Sequence, residues 1–262
     1  MKENSIWHGL SLNTIYNMDC IEGMKLIPDW SIDCIITSPP YNMNTMRSDC
    51  YYNNWYSEID WLSEEEYIKI RTDEFIEFDR ILDRRWVILY NISYGKDNPI
   101  LPTLLMTNIH NNTDMTIVDI ISRKKNNAIP FQTSPTKLSR IVELIYVIVK
   151  KDELHTFRTN KQISKINEKT NQKFYKNYVN YIEAKNNDNL QTTHKATYSC
   201  ELCEKLIDIY AVEWSVVLDP FMWIGTTAIA CINTNRNFIW FELDEWYRNI
   251  ANKRIQDKLS EK

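Results

Sequence analysis

Short runs rich in β-branched and aromatic residues alternate along this chain with stretches whose apolar residues recur at helical spacing. Seven runs predict strands, over residues 14–18, 32–36, 87–90, 115–121, 144–149, 216–218 and 238–241. Four stretches predict helices, over residues 64–82, 201–212, 226–233 and 245–259. This alternation predicts an α/β fold in which helices cover both faces of the sheet. The length of 262 residues fits one such domain with a modest insertion.

The middle of the chain is basic, although the whole chain carries a formal net charge of -4. Residues 119–195 contain 15 Lys and Arg against 7 Asp and Glu, a net charge of +8. Such a block on an acidic body is typical of a face that binds a polyanion, and a solvated Lys- and Asn-rich loop is the alternative. Interleaved aromatic residues between 157 and 181 favour a folded insert that contacts bases. The candidate phosphate contacts are Arg123, Lys124, Lys125, Lys137, Arg140, Lys161, Lys165, Lys173 and Lys176.

Several classes of protein are excluded by what the sequence lacks. No apolar run reaches the roughly 20 residues of a membrane-spanning helix, and the first residues lack the apolar segment of a signal peptide. The six cysteines are scattered, which is typical of reduced thiols. We therefore expect a cytoplasmic protein without a membrane segment. Cys200 and Cys203 have the spacing of metal ligands, but no second pair follows them, so we expect no metal site.

A distinctive motif, Thr37-Ser38-Pro39-Pro40-Tyr41, follows the second predicted strand. Two consecutive prolines keep the backbone extended and remove two N–H donors, which leaves carbonyl oxygens free. Open α/β sheets bind their ligands at the carboxyl ends of the strands, where this motif falls. Ser38 and the Pro39 carbonyl there could accept the two hydrogens of an exocyclic amine, with Tyr41 as a stacking surface. A Pro-Pro pair that only stiffens a loop is the alternative.

A second strand–turn–helix segment carries Asp219, Pro220, Phe221, Gly225, Thr226 and Thr227. Gly225 in the turn allows a ligand to approach the backbone, and the N-terminus of the following helix favours an anionic group. Glu242 ends the next predicted strand, 17 residues after Gly225, where a carboxylate is suited to bind ribose hydroxyls. These features predict a nucleoside-containing cofactor, and a dinucleotide-dependent dehydrogenase has them too.

Taken in this order, the two segments resemble those of the S-adenosylmethionine-dependent DNA amino-methyltransferases, which methylate adenine N6 or cytosine N4. The resemblance implies a Rossmann-like methyltransferase fold, with a doubly wound, mostly parallel sheet and one antiparallel edge strand. It implies that Ser38, Pro39, Pro40 and Tyr41 form the catalytic motif. It implies cofactor contacts from Asp19, Cys20, Thr37, Ser199, Asp219, Pro220, Phe221, Gly225, Thr226, Thr227 and Glu242.

The resemblance extends from about residue 13 to about residue 255 and divides the chain into three parts. Residues 13–150 correspond to the catalytic half of the methyltransferase domain, and residues 196–259 to its cofactor-binding half. Residues 151–195, where the resemblance is weak, correspond to the variable target-recognition region of the family. This insert coincides with much of the basic block.

The resemblance implies site-specific methylation of double-stranded DNA, with a cognate restriction endonuclease encoded nearby as a candidate partner. The target base leaves the duplex, and its amine attacks the methyl group of S-adenosylmethionine directly. Neither a metal nor a nucleophilic cysteine is expected. Two other classes remain open, namely a non-catalytic DNA-binding homologue and a methyltransferase that acts on RNA or on a protein amide.

Tryptophan stands where the family has glycine, at Trp223 in the cofactor loop, at Trp240 before the ribose-binding acid, and at Trp214. Ile224 replaces a small polar residue, and residues 84–86 occupy another turn where glycine is usual. The whole chain has 4 glycines and 9 tryptophans. Two explanations are open: the cofactor site has decayed, or a UGA codon that means glycine in the source has been translated as tryptophan.

Overall fold

The computed structural model describes residues 9–42, 62–95, 98–126, 128, 135–188 and 198–261. Its strands are β1 Thr14–Tyr16, β2 Ile32–Thr37, β3 Leu82–Ile92, β4 Met115–Lys125, β5 Val142–Lys150, β6 Ile163–Ile166, β7 Lys173–Tyr175, β8 Tyr181–Ala184, β9 Val216–Asp219 and β10 Asn237–Phe241. Its α-helices are α1 Cys20–Lys25, α2 Glu64–Ile81, α3 Leu101–Asn112, α4 Cys200–Tyr210, α5 Thr226–Asn233 and α6 Glu245–Ser260. A short 3-10 helix covers Lys151–Glu153.

Eight of these strands form one sheet in the order β1-β10-β9-β2-β3-β5-β4-β8. Within this sheet only β5 runs antiparallel to its neighbours, β3 and β4. The predicted α/β fold with a mostly parallel sheet and one antiparallel strand is confirmed. The antiparallel strand is the third from one edge of the sheet, because β4 and β8 lie beyond it. The seven predicted strands and four predicted helices are all present, whereas the sequence patterns missed α1, α3 and β6 to β8.

The helices cover both faces of the sheet, and β2 illustrates how. Cys34 and Ile36 contribute to the apolar core beneath α4, α5 and α6. Ile35, which points to the opposite face, contributes to the core beneath α1, α2 and α3. Because β2 is buried on both faces, its residues 34–36 appear in the sequence as a continuous apolar run rather than an alternating one.

The chain changes direction between β2 and β9, which lie side by side in the middle of the sheet. From β2 the chain proceeds to β3 on one side, and from β9 it proceeds to β10 on the other. A crevice forms at such a switch point, beyond the carboxyl ends of the two strands. The fold therefore brings Thr37, the last residue of β2, next to Asp219, the last residue of β9.

Residues 151–188 form two separate structures. The strands β6 and β7 pair with each other in an exposed antiparallel hairpin. The strand β8 pairs in parallel with β4, and its residues Ile182 and Ala184 are buried in the main core. The last strand of the sheet therefore comes from within the basic insert, while the hairpin stands apart from the sheet.

Eight non-glycine residues of the described chain have a positive φ, and four of them are asparagines. Asparagine tolerates this left-handed conformation, whereas bulkier L-residues pay roughly 1–2 kcal/mol for it. Three of the others are Trp30, Trp214 and Trp223, with φ values of 55°, 68° and 54°, and the fourth is Arg85 with 66°. The backbone therefore favours glycine at three tryptophans and at Arg85, which lies not in a turn but within β3, where the pairing with β2 is irregular.

Trp240 occupies its position for a different reason. It lies in the extended strand β10, its side chain is fully buried, and its indole Nε1 donates a hydrogen bond to the Val217 carbonyl over 3.3 Å. Its ring packs edge-on against Phe238. The backbone of Trp240 therefore does not require glycine, whereas the positive φ of Trp223 favours it.

Candidate active site

Asp219 joins the two predicted motifs. Its Oδ1 accepts hydrogen bonds from Thr37 Oγ1 and from the Phe221 backbone N–H, both over 3.1 Å. Its Oδ2 accepts hydrogen bonds from Tyr198 Oη over 2.7 Å and from Thr227 Oγ1 over 2.8 Å. Burial raises the pKa of the Asp219 carboxyl above its usual value, although these hydrogen bonds lower it in part. Asp219 thus holds the predicted catalytic motif against the predicted cofactor loop, with its oxygens turned towards protein donors.

Gly225 lies at a close approach between the predicted cofactor loop and α6. Its φ is 80°, and a Cβ at this position would lie 3.0 Å from the Ala251 Cβ of α6. Both the left-handed backbone and the close approach of α6 therefore require glycine. The loop ends there, and α5 begins with Thr226 and Thr227, both buried.

Glu242 supports the same loop from the end of β10. Its Oε2 accepts a hydrogen bond from the Trp223 backbone N–H over 2.8 Å, and its Oε1 accepts one from the Asp244 backbone N–H over 2.9 Å. The indole of Trp223 lies edge-on to Tyr247 of α6, with ring centroids 5.9 Å apart. The predicted ribose-binding acid is thus buried and fixed by two backbone groups, one of them from the strained tryptophan.

The other predicted cofactor residues cap helices around this crevice. Asp19 caps α1 by accepting hydrogen bonds from two backbone N–H groups, and Ser199 caps α4. The Ser199 hydroxyl also donates to the Lys185 carbonyl over 2.9 Å. Burial raises the pKa of the Cys20 thiol well above its usual value. Cys20 therefore stays protonated, as expected for a packing residue rather than a nucleophile.

The catalytic motif leaves β2 with its polar groups held in place. Ser38 is buried, and its Oγ lies 2.6 Å from Tyr41 Oη. The Pro40 carbonyl accepts a hydrogen bond from Tyr67 Oη of α2 over 2.8 Å. Thr37, the residue before Ser38, binds Asp219, so the Ser38 hydroxyl lies beside the residue that joins this motif to the predicted cofactor loop.

Three residues at this site were missed by the sequence patterns. Asn91 Nδ2 lies 2.5 Å from Tyr41 Oη, 3.3 Å from Ser38 Oγ and 3.1 Å from Glu143 Oε2. Tyr198 contacts Asp219, as described above. Asn91 could have been found from the sequence, because it directly follows the predicted strand over residues 87–90. Polar residues at the carboxyl ends of strands often belong to ligand-binding sites. Glu143 stands in no motif, whereas Tyr198 directly precedes Ser199, which the resemblance places at the cofactor site.

A family model described as DNA methylase matches residues 32–253 of this chain. The chain belongs to this family of N6 and N4 DNA methylases. The type II methyltransferase M.BglII of Bacillus subtilis is 26% identical over 259 residues, which cover 92% of this chain and 68% of the relative. The type II methyltransferase M.HinfI of Haemophilus influenzae is 27% identical over 269 residues, with coverages of 94% and 69%.

Solved structures of DNA methyltransferases share the fold of this methylase. The cytosine-N4-specific PvuII DNA methyltransferase superposes with a TM-score of 0.70 at 17% identity, covering 94% of this chain and 91% of that one. The structure of M1.HpyAVI in complex with SAM superposes with a TM-score of 0.59 at 24% identity, with coverages of 92% and 98%. The predicted Rossmann-like methyltransferase fold is therefore confirmed.

Arg123 of this methylase does not lie where a phosphate contact would. Its side chain is 2% exposed, and its Nη1 forms an ion pair with Glu143 Oε2 over 2.6 Å. Lys125 Nζ binds the other oxygen of the same carboxylate over 2.9 Å. The prediction that Arg123 binds DNA is wrong, because a count of charges along the chain does not show which of them are buried and paired.

Apart from Lys125, which is paired with Glu143, the remaining candidate phosphate contacts lie nearer the surface. Lys165, Lys173 and Lys176 are exposed on or beside the β6–β7 hairpin, and Lys137 is exposed before β5. Lys124 forms an exposed ion pair with Glu183. The other two cations lie over aromatic rings, Arg140 over Tyr94 and Lys161 over Tyr178.

Membrane-spanning helices and clusters of metal ligands are both absent from the described residues. No helix in this part of the chain is long and apolar enough to span a membrane. No group of three or more His, Cys, Asp or Glu in the same residues is placed to bind a metal ion. Cys200 and Cys203 contact the first turn of α5 instead, at the Thr226 carbonyl over 3.6 Å and at Thr227 Oγ1 over 3.8 Å.

Proposed function

We propose that this methylase transfers a methyl group from S-adenosylmethionine to an exocyclic amine in double-stranded DNA, at adenine N6 or cytosine N4. The observation that carries the proposal is the hydrogen bond between Thr37 and Asp219, which holds the amine-binding motif against the cofactor loop. Family membership supports the proposal, as do the type II methyltransferases among the relatives and the SAM complex of M1.HpyAVI.

The residues of the crevice fit a nucleoside-containing methyl donor. Gly225 forms the left-handed turn that packs closely against α6, and Glu242 provides a buried carboxylate at the end of the neighbouring strand. Phe221 and the first turn of α5 would contact the remaining parts of the donor. When bound, S-adenosylmethionine supplies an electrophilic methyl group.

The chain's own residues would bind and orient the target base. The base leaves the duplex and stacks on Tyr41, and its amine donates hydrogen bonds to Ser38 Oγ and to the Pro39 carbonyl. Two acceptors on the amine turn the nitrogen lone pair out of the plane of the ring and towards the cofactor loop. These residues would thus point the amine towards the site of the methyl donor, so that positioning would supply most of the catalysis.

We also propose that the methylation is site-specific and belongs to a restriction–modification pair. The relatives M.BglII and M.HinfI are described as type II methyltransferases. A cognate endonuclease encoded next to this gene is the expected partner. We propose that the 151–195 insert reads the DNA, and the exposed aromatic residues Phe174 and Tyr175 of β7 support this.

Ser38→Ala is expected to lower the rate of methyl transfer at least tenfold while leaving DNA affinity unchanged, because one acceptor of the amine is lost. The measurement is transfer of labelled methyl groups from S-adenosylmethionine to unmethylated DNA. Ser260→Ala, at the exposed end of α6, is the matched control and keeps the parent rate. Transfer at the parent rate by Ser38→Ala combined with Tyr41→Ala would place the active site elsewhere.

Lys165→Gln with Lys173→Gln is expected to weaken DNA binding for all sequences. The logarithm of the DNA-binding constant falls linearly with the logarithm of the salt concentration, with a slope of about -0.9 for each phosphate contact. Loss of two contacts should therefore make this slope less steep by about 2. Fluorescence anisotropy of a labelled duplex between low and physiological salt measures this slope. Lys258→Gln, in α6, is the control. An unchanged slope in the double variant would mean that the hairpin does not contact the backbone of DNA.

A further inference from the structure

A buried polar cluster lies behind Ser38 and Tyr41. It consists of Asn91 on β3, Glu143 on β5 and Arg123 on β4, all buried. Arg123 Nη1 binds Glu143 Oε2 over 2.6 Å, and Asn91 Nδ2 binds the same oxygen over 3.1 Å. The cluster joins three adjacent strands of the sheet and ends at the two hydroxyls of the catalytic motif.

Glu143 fixes the orientation of the Asn91 amide. Burial by itself would raise the pKa of Glu143, but Arg123 and Lys125 lower it below its usual value, so the carboxylate is charged. A carboxylate only accepts hydrogen bonds, and the amide must therefore turn its Nδ2 towards Glu143. The consequence is visible at the other end of the amide, because Asn91 Oδ1 is buried without a hydrogen-bond partner among the described residues.

The orientation of Asn91 in turn fixes the hydroxyls of Tyr41 and Ser38. The second Nδ2 hydrogen of Asn91 points to Tyr41 Oη, 2.5 Å away, so Tyr41 accepts it. Burial, with the nearby Glu143 carboxylate, raises the pKa of Tyr41 well above its usual value, so the phenol keeps its hydrogen. The acceptor within reach of that hydrogen is Ser38 Oγ, at 2.6 Å. The two hydrogens of Nδ2 are taken by Glu143 and Tyr41, so its longer contact with Ser38 Oγ, at 3.3 Å, has no hydrogen left. Ser38 therefore receives a hydrogen bond from Tyr41 and retains one lone pair and its own hydrogen.

We propose that Glu143 and Asn91 are positioning residues that set Ser38 as a hydrogen-bond donor to the ring nitrogen beside the target amine. Adenine N1 and cytosine N3 are acceptors at this place, whereas guanine N1 and thymine N3 carry hydrogens. The direction of the hydrogen-bond chain then selects amino bases over keto bases at the flipped-out position. This inference rests on the proposed function and adds to it the means by which the same site chooses its base.

The direction of this series of hydrogen bonds can be reversed while the cluster keeps one amide and one carboxylate. Asn91→Asp combined with Glu143→Gln exchanges amide and carboxylate, so that position 91 only accepts and the hydroxyls of Tyr41 and Ser38 turn towards it. The substrates are two duplexes with the mapped methylation sequence, one with the normal target base and one in which CH replaces its ring nitrogen (1-deazaadenine or 3-deazacytosine). Since the intrinsic reactivity of each base is the same with both enzymes, the ratio of the two rates isolates the contact to the ring nitrogen.

The normal-to-deaza rate ratio is expected to be about tenfold larger for the parent than for the exchanged variant, with S-adenosylmethionine affinity unchanged. Asn233→Asp with Glu204→Gln is the matched control, because it exchanges the same groups in an exposed pair 2.7 Å apart between α5 and α4. That control should keep the parent ratio.

Equal ratios for the parent and the exchanged variant would overturn the inference while leaving the proposed function intact. If the exchanged variant does not fold, Asn91→Ala decides, because it frees the Tyr41 and Ser38 hydroxyls and should lower the ratio severalfold. If Asn91→Ala has the same normal-to-deaza rate ratio as the parent, the inference is contradicted. If the parent methylates neither base, the proposed function itself fails, and the inference fails with it.

Discussion

Trp223→Gly is expected to tighten S-adenosylmethionine binding by on the order of a hundredfold, the equivalent of about 3 kcal/mol of relieved overpacking. Trp223 has a φ of 54° in the cofactor loop, and its backbone N–H binds Glu242. Glycine adopts this conformation without strain and leaves the space of the indole to the ligand. Isothermal titration calorimetry of the parent and the variant measures the difference.

Trp214→Gly is the matched control for this prediction. Trp214 has a φ of 68°, but it is 63% exposed and stands before β9, at the opposite end of that strand from the cofactor loop. Relief of its backbone strain is expected to raise the melting temperature by about 2–4 °C without changing cofactor affinity. An unchanged affinity in Trp223→Gly would show that the indole does not obstruct the cofactor.

The left-handed tryptophans also bear on the two explanations for their excess. Decay of a cofactor site accounts for Trp223, but it does not account for Trp30 and Trp214, which occupy exposed turns with the same backbone conformation. A UGA codon read as glycine accounts for all three. The gene sequence tests this hypothesis, which predicts UGA at codons 30, 214 and 223, and UGG at these codons would contradict it.

Asp219→Ala is expected to lower the free energy of unfolding by about 3–5 kcal/mol, because one truncation removes the acceptor for four donors, three of them in buried hydrogen bonds. Those donors come from Thr37, Phe221, Tyr198 and Thr227, so methyl transfer should be lost as well. Urea unfolding followed by circular dichroism gives the change in stability.

Asp219→Asn separates the charge from the hydrogen bonds. The amide oxygen of the introduced side chain can still accept two of the four hydrogen bonds. The free energy of unfolding of this variant should therefore lie between the value of the parent and the value of Asp219→Ala. Asp73→Ala, on the exposed face of α2, controls for the loss of a carboxylate and should change the stability by less than about 0.5 kcal/mol. A loss below about 1 kcal/mol in Asp219→Ala would contradict the role of Asp219 as the junction of the two motifs.

The fold and the two motifs could be predicted because their signals are local. The buried strand before Thr37 is a continuous apolar run, and Gly225 occupies the turn between β9 and α5. The support of the site could not be predicted in this way. Asn91 and Glu143 are separated by 52 residues and meet only because β3 and β5 are neighbours in the sheet.

Charge patterning predicted the basic block but not the state of each cation within it. Arg123 lies on β4, which pairs with β5 on one side and with β8 on the other. Its guanidinium forms an ion pair with Glu143 and is not available to bind a phosphate. The hairpin lysines Lys165 and Lys173 are exposed instead. Whether a charged residue faces solvent is decided by the pairing of strands that lie far apart in the sequence.

Methyl transfer from labelled S-adenosylmethionine to unmethylated DNA, followed by mass spectrometry of the digested nucleosides, tests the central claim most directly. The account predicts N6-methyladenine or N4-methylcytosine as the product, with Trp223→Gly at least as active as the parent. DNA binding without a methylated nucleoside, in both the parent and Trp223→Gly, would contradict the account and identify a non-catalytic DNA-binding homologue.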